Sequence, residues 1–334
     1  MLTRPDIQDQ TIISRLFEEY GLRAAQLDFL PIGADVNTAV FQAVTLDEAQ
    51  FFVKLMEGSF EEINVAVPQY LYTQGIQAII PPLVTYARRL WAELPPYKMV
   101  LYPFFEGESG YEQELSGPQW LEFGASLKAI HTTQLPTSLA RLVPCETYSP
   151  YWREMVTAFQ SQIESTSYED HSADQLARFM QSHRDQIARL VARADLLGLA
   201  LRSCGLQLVL CHSDIHAGNL LLGVHDALHI VDWDNPTFSP KERDLILVGG
   251  SPTWNDPAGE ALFYQGYGPT EIDGMALAYY RYERIIQDIA AYCEQLLLTG
   301  TGGADREKSL FHFTGQFLPG HEIEIAFQTD HALL

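Results

Sequence analysis

The run Cys211-His212-Ser213-Asp214-Ile215-His216-Ala217-Gly218-Asn219 lies between two apolar stretches, Leu208-Val209-Leu210 and Leu220-Leu221-Leu222. A polar loop held between buried strands keeps its side chains in place, which positioned catalysis requires. Asp214 can orient an attacking hydroxyl or accept its proton. Asn219, five residues on, can reach a divalent cation from the other side of the loop. Thirteen residues later, in Ile230-Val231-Asp232-Trp233-Asp234, an apolar strand ends on a carboxylate. Asp232 can there bind Mg2+ bridging nucleotide phosphates. It can equally cap a turn, since Asp234-Asn235-Pro236 is turn chemistry. His212 is read as structural, and His216 as solvated or bonded to backbone. Asp244 is expected to accept hydrogen bonds from backbone N–H groups of the loop and so order it.

These groups need a frame. Ile12, Ile13, Leu16 and Phe17 recur at helical spacing up to Gly21, and residues 24–32, 38–45 and 51–57 then read as strands. A helical stretch over 62–74 ends at Gly75, and Pro68 starts or kinks it. Two further strands are expected at 79–86 and 96–103. After Gly107, helical patterns cover 118–132, 150–165, 173–200 and 270–298, interrupted by short strands at 207–211, 220–223 and 228–232. The Pro- and Gly-rich segment 251–270 reads as a loop. The class is therefore α+β, with a small β-rich N-lobe (1–105) and a larger, mostly helical C-lobe (106–334).

Lys54 stands in the alternating strand Phe51-Phe52-Val53-Lys54-Leu55, on the face opposite Val53 and Leu55. Taken alone, that position reads as a solvated surface lysine. The loop from Gly33 through Asn37 to Thr38, which joins two of these strands, reads without further context as an ordinary hairpin turn.

Composition narrows the partners. Lys plus Arg number 21 against 43 Asp plus Glu, a net charge of -22. Such a surface repels phosphate backbones, so nucleic acid is not expected, and it attracts cations. No apolar run reaches the roughly 18–20 residues of a membrane helix, and the N-terminal MLTRPDIQDQ has no apolar signal region. The four cysteines are scattered without CxxC spacing, which fits a reducing cytoplasm. A monomer or weak homodimer is expected.

The His-x-Asp-x4-Asn spacing matches the kinase catalytic loop. Together, His212-Ser-Asp-x4-Asn219 and Val231-Asp232-Trp233-Asp234 resemble the aminoglycoside phosphotransferase and choline kinase superfamily. The run Phe123 to His131, ending Leu-x-x-Ile-His, resembles that family too, as does Pro240-Lys241-Glu242-Arg243-Asp244-Leu245. The runs CHSDIHAGN, PKERDL and YRYERIIQDIAAY resemble the branch of that family acting on spectinomycin.

The resemblance implies a bilobal, protein-kinase-like fold using ATP or GTP with Mg2+. Asn219 and Asp232 would hold the metal and Asp214 would be catalytic. Lys54, paired with Glu62, would hold the nucleotide phosphates beneath a loop containing Gly33 and Asn37. The Val100–Gly107 segment would be the hinge, with the Pro103 carbonyl and the Phe105 N–H reading the base, although plain strand-end packing is the alternative. The acceptor would be a small cationic aminocyclitol, spectinomycin at its 9-hydroxyl. A cationic acceptor needs carboxylates and flat walls, so Asp234, Trp233, Tyr267, Glu283 and Asp288 are candidate contacts. Arg284 and Asp288, four apart, can instead pair with each other on a solvated helix face. A metabolite kinase of choline, homoserine or methylthioribose type and a non-catalytic kinase-like binder are the competing functions. The intact set Asp214, Asn219 and Asp232 argues against the second.

Overall fold

The computed structural model describes residues 4–32, 37–254, 256–300 and 304–332. Gly33, expected to face phosphate, lies outside the described residues. Two compact units make up the chain, and the single cut expected near residue 105 does not separate them. The first comprises Met1–Pro144, His216–Pro236 and Gln265–Gly268; the second comprises Cys145–Ile215, Thr237–Tyr264 and Pro269–Leu334.

The first unit opens with helix α1 (Asp9–Tyr20), which ends on Gly21 at φ +71, a left-handed cap that glycine adopts without strain. Strands β1 (Ala24–Leu30), β2 (Thr38–Thr45) and β3 (Gln50–Glu57) follow, then α2 (Ile63–Thr73), β4 (Ala92–Leu94) and β5 (Tyr97–Pro103). The strands form one antiparallel sheet in the order β1-β2-β3-β5-β4. Alternation divides its faces. Phe41, Val53, Leu55, Met99 and Leu101 pack with Ile12 and Leu16 of α1. Lys54 lies on the other face, in register with Val40 and Val100, where Val100, Met56 and Val65 of α2 cluster with Tyr102.

Residues 79–86 are not a strand. Pro81 and Pro82 have no N–H to give a ladder, and Ile79 makes only an isolated bridge to Ile230. The first unit also contains β6 (Glu108–Ser109), α3 (Gly117–Thr132), the single turn α4 (Thr137–Ala140) and a later hairpin. Helix α3 begins with a capping box between Ser116 and Gln119.

The second unit is helical. Helices α5 (Tyr151–Ser165), α6 (His171–Ser182) and α7 (Arg184–Cys204) precede strand β7 (Val209–Cys211). The expected single helix over 173–200 is thus two. His183 breaks it at φ -106, its ring stacking on Phe179 and its Nδ1 lying 2.9 Å from the Phe179 carbonyl. The chain then passes into the first unit's hairpin, β8 (Leu220–Leu222) and β9 (Leu228–Ile230), which pairs with β6. It returns through β10 (Thr237–Ser239), antiparallel to β7.

The supposed loop 251–270 contains α8 (Pro257–Tyr267). Its glycines and prolines read as breakers, yet Asp256 accepts from the N–H groups of Ala258 and Gly259 and Pro257 suits a first helical position. Gly266 is required by close approach: a Cβ there would lie 2.0 Å from the Leu121 carbonyl oxygen. Helix α9 (Gly274–Leu297), capped by Asp273, is the spine of the second core. Tyr279, Tyr282, Ile285, Ile286 and Ile289 pack there with α5, α6 and α7, and with α10 (Ala304–Gly315) and α11 (Glu322–His331). No helix of the described residues is long and apolar enough to cross a membrane.

Candidate active site

In the first unit, the β8–β9 hairpin brings the expected metal ligands to one end. Leu220 pairs with Ile230, and the Val231 N–H continues the ladder to the Asn219 carbonyl at 2.9 Å. Asn219 is buried, and Asp232 follows Val231 directly. The strand stops at Ile230, two residues before its expected end, because the backbone turns at Asp232 to φ +65. An Asp in that region carries strain, a frequent feature of functional sites. Gly218 allows the tight loop before the hairpin, since a Cβ there would lie 2.8 Å from the Tyr111 ring and 2.9 Å from the His216 ring. His216 Nδ1 accepts from the Gly218 N–H at 3.0 Å, the backbone-bonded role expected.

Lys54 reaches this hairpin end. Its Nζ lies 2.9 Å from Asp232 Oδ1 and within 3.0 Å of both oxygens of Asp234. Burial opposes the ammonium charge, but Asp232 and then Asp234 outweigh it, and the Lys54 pKa is raised. Burial pushes the Asp234 carboxyl up, against the pull of Lys54. Asp232 and Asp234 share the Lys54 ammonium at the hairpin end where Asn219 stands, and carboxylate and amide oxygens beside a fixed cation are the donor types that Mg2+ and phosphate favour.

Several expected contacts change here. Among the described residues, Glu62 is not the partner of Lys54. It is exposed just before α2, and α2 (INVAVPQYLYT) carries no acid to replace it. Asp234, expected on the acceptor side, is bound to Lys54. Trp233 is buried and donates its indole N–H to the Ile230 carbonyl at 3.2 Å, so it braces the turn. Tyr267 is 1% exposed, bonded to His131 Nδ1 at 2.7 Å with the Lys128 ammonium over its ring, and that burial removes it from ligand reach. In the hinge segment, Pro103 pairs with Phe51, the Phe104 N–H donates to the Gln50 carbonyl, and the Phe105 ring meets His229 edge-on. The Asn37 carbonyl accepts from the Glu57 N–H at 2.9 Å.

In the second unit, Asp244 takes its expected part. At 1% exposure, its Oδ2 accepts from the His212 N–H at 2.8 Å and its Oδ1 from the Ser213 N–H at 2.7 Å. His212 is fully buried, and its Nδ1 accepts from the Asp214 N–H at 3.3 Å, a structural role. Ser213 sits at φ +73, held there by Asp244.

Asp214 faces α9. Arg284 Nη1 donates to Asp214 Oδ1, and Arg284 Nε lies 3.1 Å from Asp288 Oδ1. The Asp288 charge first, and Asp214 after it, raise the Arg284 pKa. Burial raises the Asp288 carboxyl, against Arg284. A cavity of about 340 Å³ opens beside them, walled by Tyr151, Trp152, Tyr279 and Tyr280 and edged by Glu146 and Glu283. Ser213 and Arg284 also line it.

Glu283, expected to meet ligand, is 6% exposed and ion-paired with the buried Arg153. Burial, only partly offset by Arg153, pushes its carboxyl up to about 7. Sequence reasoning missed the Ser213 hydroxyl, whose oxygen is buried without a hydrogen-bond partner, and missed Glu146, bound by Arg243 at 2.9 Å. Neither has a local pattern; both are set by tertiary contacts.

Residues 28–279 match the phosphotransferase enzyme family. Among solved structures, the chain is similar to a spectinomycin phosphotransferase in complex with ADP and spectinomycin. The two are 38% identical with a TM-score of 0.91, over 98% of this chain and 99% of that one. An AMP-bound complex of spectinomycin phosphotransferase is similar at 36% identity and a TM-score of 0.85, over 96% and 98%. An amicoumacin kinase with AMP-PNP and Ca2+ is 16% identical with a TM-score of 0.62, over 97% and 94%, a likeness of fold alone. The kinase-like fold expected from the sequence is common to all three. No curated protein matches the chain in sequence.

Proposed function

We propose that this chain, which belongs to the phosphotransferase enzyme family, moves the γ-phosphoryl of ATP or GTP onto a hydroxyl of a cationic aminocyclitol, spectinomycin at its 9-hydroxyl. One observation carries the nucleotide half of the reading: Lys54 Nζ bonds Asp232, which stands at the same hairpin end as Asn219. Asn219 and Asp232 would hold Mg2+, and bound Mg2+ would neutralise charge on the nucleotide phosphates. Lys54 is suited to the α- and β-phosphates, and phosphate oxygens would compete with Asp234 for its ammonium. The Pro103 carbonyl and the Phe105 N–H would read the base.

The acceptor half rests on the cavity beside Arg284 and on spectinomycin in the similar structure. Four aromatic side chains suit a compact, polycyclic ligand, and the part-exposed Asp214 and Asp288 beside Arg284 are the carboxylates its positive charge would meet. The partnerless Ser213 oxygen, next to Asp214, suits a hydroxyl of the acceptor. In the transfer, the acceptor oxygen bonds to the γ-phosphorus as the bond to the β,γ-bridging oxygen breaks. The nucleoside diphosphate leaves, and the hydroxyl proton passes to Asp214. Asp244 contributes by fixing the backbone on which Asp214 stands.

The test is Mg2+-dependent ADP release with spectinomycin, other aminoglycosides, choline, homoserine, methylthioribose or no acceptor, with NMR of the phosphorylated product. Spectinomycin should give the highest kcat/KM and a 9-phosphate. Preference for choline, homoserine or methylthioribose would make the chain a metabolite kinase. Nucleotide binding with no turnover on any acceptor would make it a binding protein.

A further inference from the structure

Every carboxylate edging the aromatic cavity is answered by an arginine, but not in the same way. Glu283 is bound by Arg153, which is 3% exposed and also bonds Tyr279, Tyr148 and Ser149. Glu146 is bound by Arg243, which lies over the Tyr280 ring. Those two arginines are built into the wall. Arg284 differs: it lines the cavity, bridges Asp214 and Asp288, and all three side chains stay about one-third exposed, at 32%, 29% and 30%. A bridge that still reaches water can be opened by a competing cation, which an enclosed pair such as Arg153–Glu283 resists.

We propose that Arg284 is a displaceable counter-ion that couples turnover to a cationic acceptor. The inference rests on the phosphotransferase reading above and names what that site demands of its substrate: an amine as well as a hydroxyl. With no acceptor, the guanidinium spans both carboxylates and occupies Asp214 Oδ1, so Asp214 is not offered to water and ATP is not hydrolysed. An acceptor ammonium that takes Asp288 removes one of the two partners of Arg284 and repels its charge. The guanidinium leaves Asp214 Oδ1, which then takes the proton of the acceptor hydroxyl as the oxygen–phosphorus bond forms and ADP departs. The cation thus acts on the catalytic step, beyond adding affinity, because its binding changes the state of the base.

The experiment uses the full chain with Mg·ATP and compares spectinomycin with its N,N′-diacyl derivative, which keeps the hydroxyls and loses both positive charges. In the wild type, kcat with the diacyl compound should fall at least about tenfold, whereas a change in KM alone would overturn the proposal. In Arg284→Met, acceptor-free ADP release should rise about tenfold and the kcat values of the two acceptors should converge. Arg284→Lys keeps one charge but cannot span both carboxylates, and should leak ADP at an intermediate rate. Arg178→Met removes an exposed arginine on α6 and should match the wild type throughout. A folded Arg284→Met with wild-type acceptor-free hydrolysis would overturn the proposal. If Arg284→Met does not fold, the kcat comparison on the wild type decides. A wild type that phosphorylates no hydroxyl acceptor would sink the underlying reading as well, a result distinct from coupled turnover that ignores Arg284.

Discussion

Asp244→Ala removes a carboxylate that receives two adjacent backbone N–H groups, those of His212 and Ser213 at 2.8 and 2.7 Å. Hydrogen bonds to a charged group are worth about 1.5–3 kcal/mol each. His212 is 0% exposed, so its N–H loses its partner where water does not replace it. Ser213 is only half-buried, and part of its loss is recovered by solvent. The sum is a destabilisation of about 3–5 kcal/mol. For a cooperative unit of roughly 150–250 residues, at about 2–4 °C per kcal/mol, that corresponds to a Tm lower by roughly 6–20 °C. Ser213 would also relax from φ +73 and carry Asp214 with it, so kcat should fall while ATP affinity holds. Asp244→Asn keeps one acceptor oxygen and turns an amide toward the other N–H, so its Tm should lie between those of Ala and wild type. Calorimetry, with ATP titration and steady-state kinetics, reads all three. An Asp244→Ala protein melting within about 2 °C of wild type and turning over normally would refute the reasoning.

Lys54→Met leaves Asp232 and Asp234 without their shared cation; ATP binding should weaken by roughly 10–100-fold, the loss of one charge-assisted contact, measured by calorimetric titration. Glu283 is pushed up to about 7 from the ordinary 4.5. Between those values the folded state holds a proton that the unfolded chain has released, so stability falls as pH rises through that window, by at most about 3 kcal/mol. Urea melts at pH 5 and pH 8 should show this fall in the wild type and a smaller one in Glu283→Gln; equal slopes would contradict the assignment. Tyr267→Phe loses one buried hydrogen bond to His131 and should cost about 1 kcal/mol by thermal melt with KM for the acceptor unchanged; a large KM rise would return Tyr267 to the acceptor site.

Local pattern was enough where one rule governs. The 3.6-residue spacing of Ile12 and Leu16 with Gly21 marked α1, and alternation around Val53 and Leu55 marked β3 and the outward Lys54. The Asp244 role was legible through the family resemblance of Pro240–Leu245, since no local spacing ties Asp244 to a loop that ends at Asn219. Elements failed where two signals compete. Pro257, Gly259 and Gly266 read as loop, although Asp256-Pro257 is a helix start and Gly266 is demanded by contact with α3. In 171–204 the apolar period runs on through the break, and only the ring of His183 folding back on the Phe179 carbonyl ends α6. At the site, Asp234 and Glu283 read from sequence as ligand contacts, because spacing does not reveal Lys54 or Arg153 across the fold. Trp233 and Tyr267 are aromatics whose polar ends are spent inside the protein, a burial no short motif records.

The most direct measurement is the turnover of Asp214→Ala beside its affinity for Mg·ATP. The account predicts a kcat lower by at least about 10²–10⁴, the range for losing a positioned base, with the nucleotide dissociation constant unchanged because Lys54, Asn219 and Asp232 are intact. Near-normal turnover in that protein would contradict it.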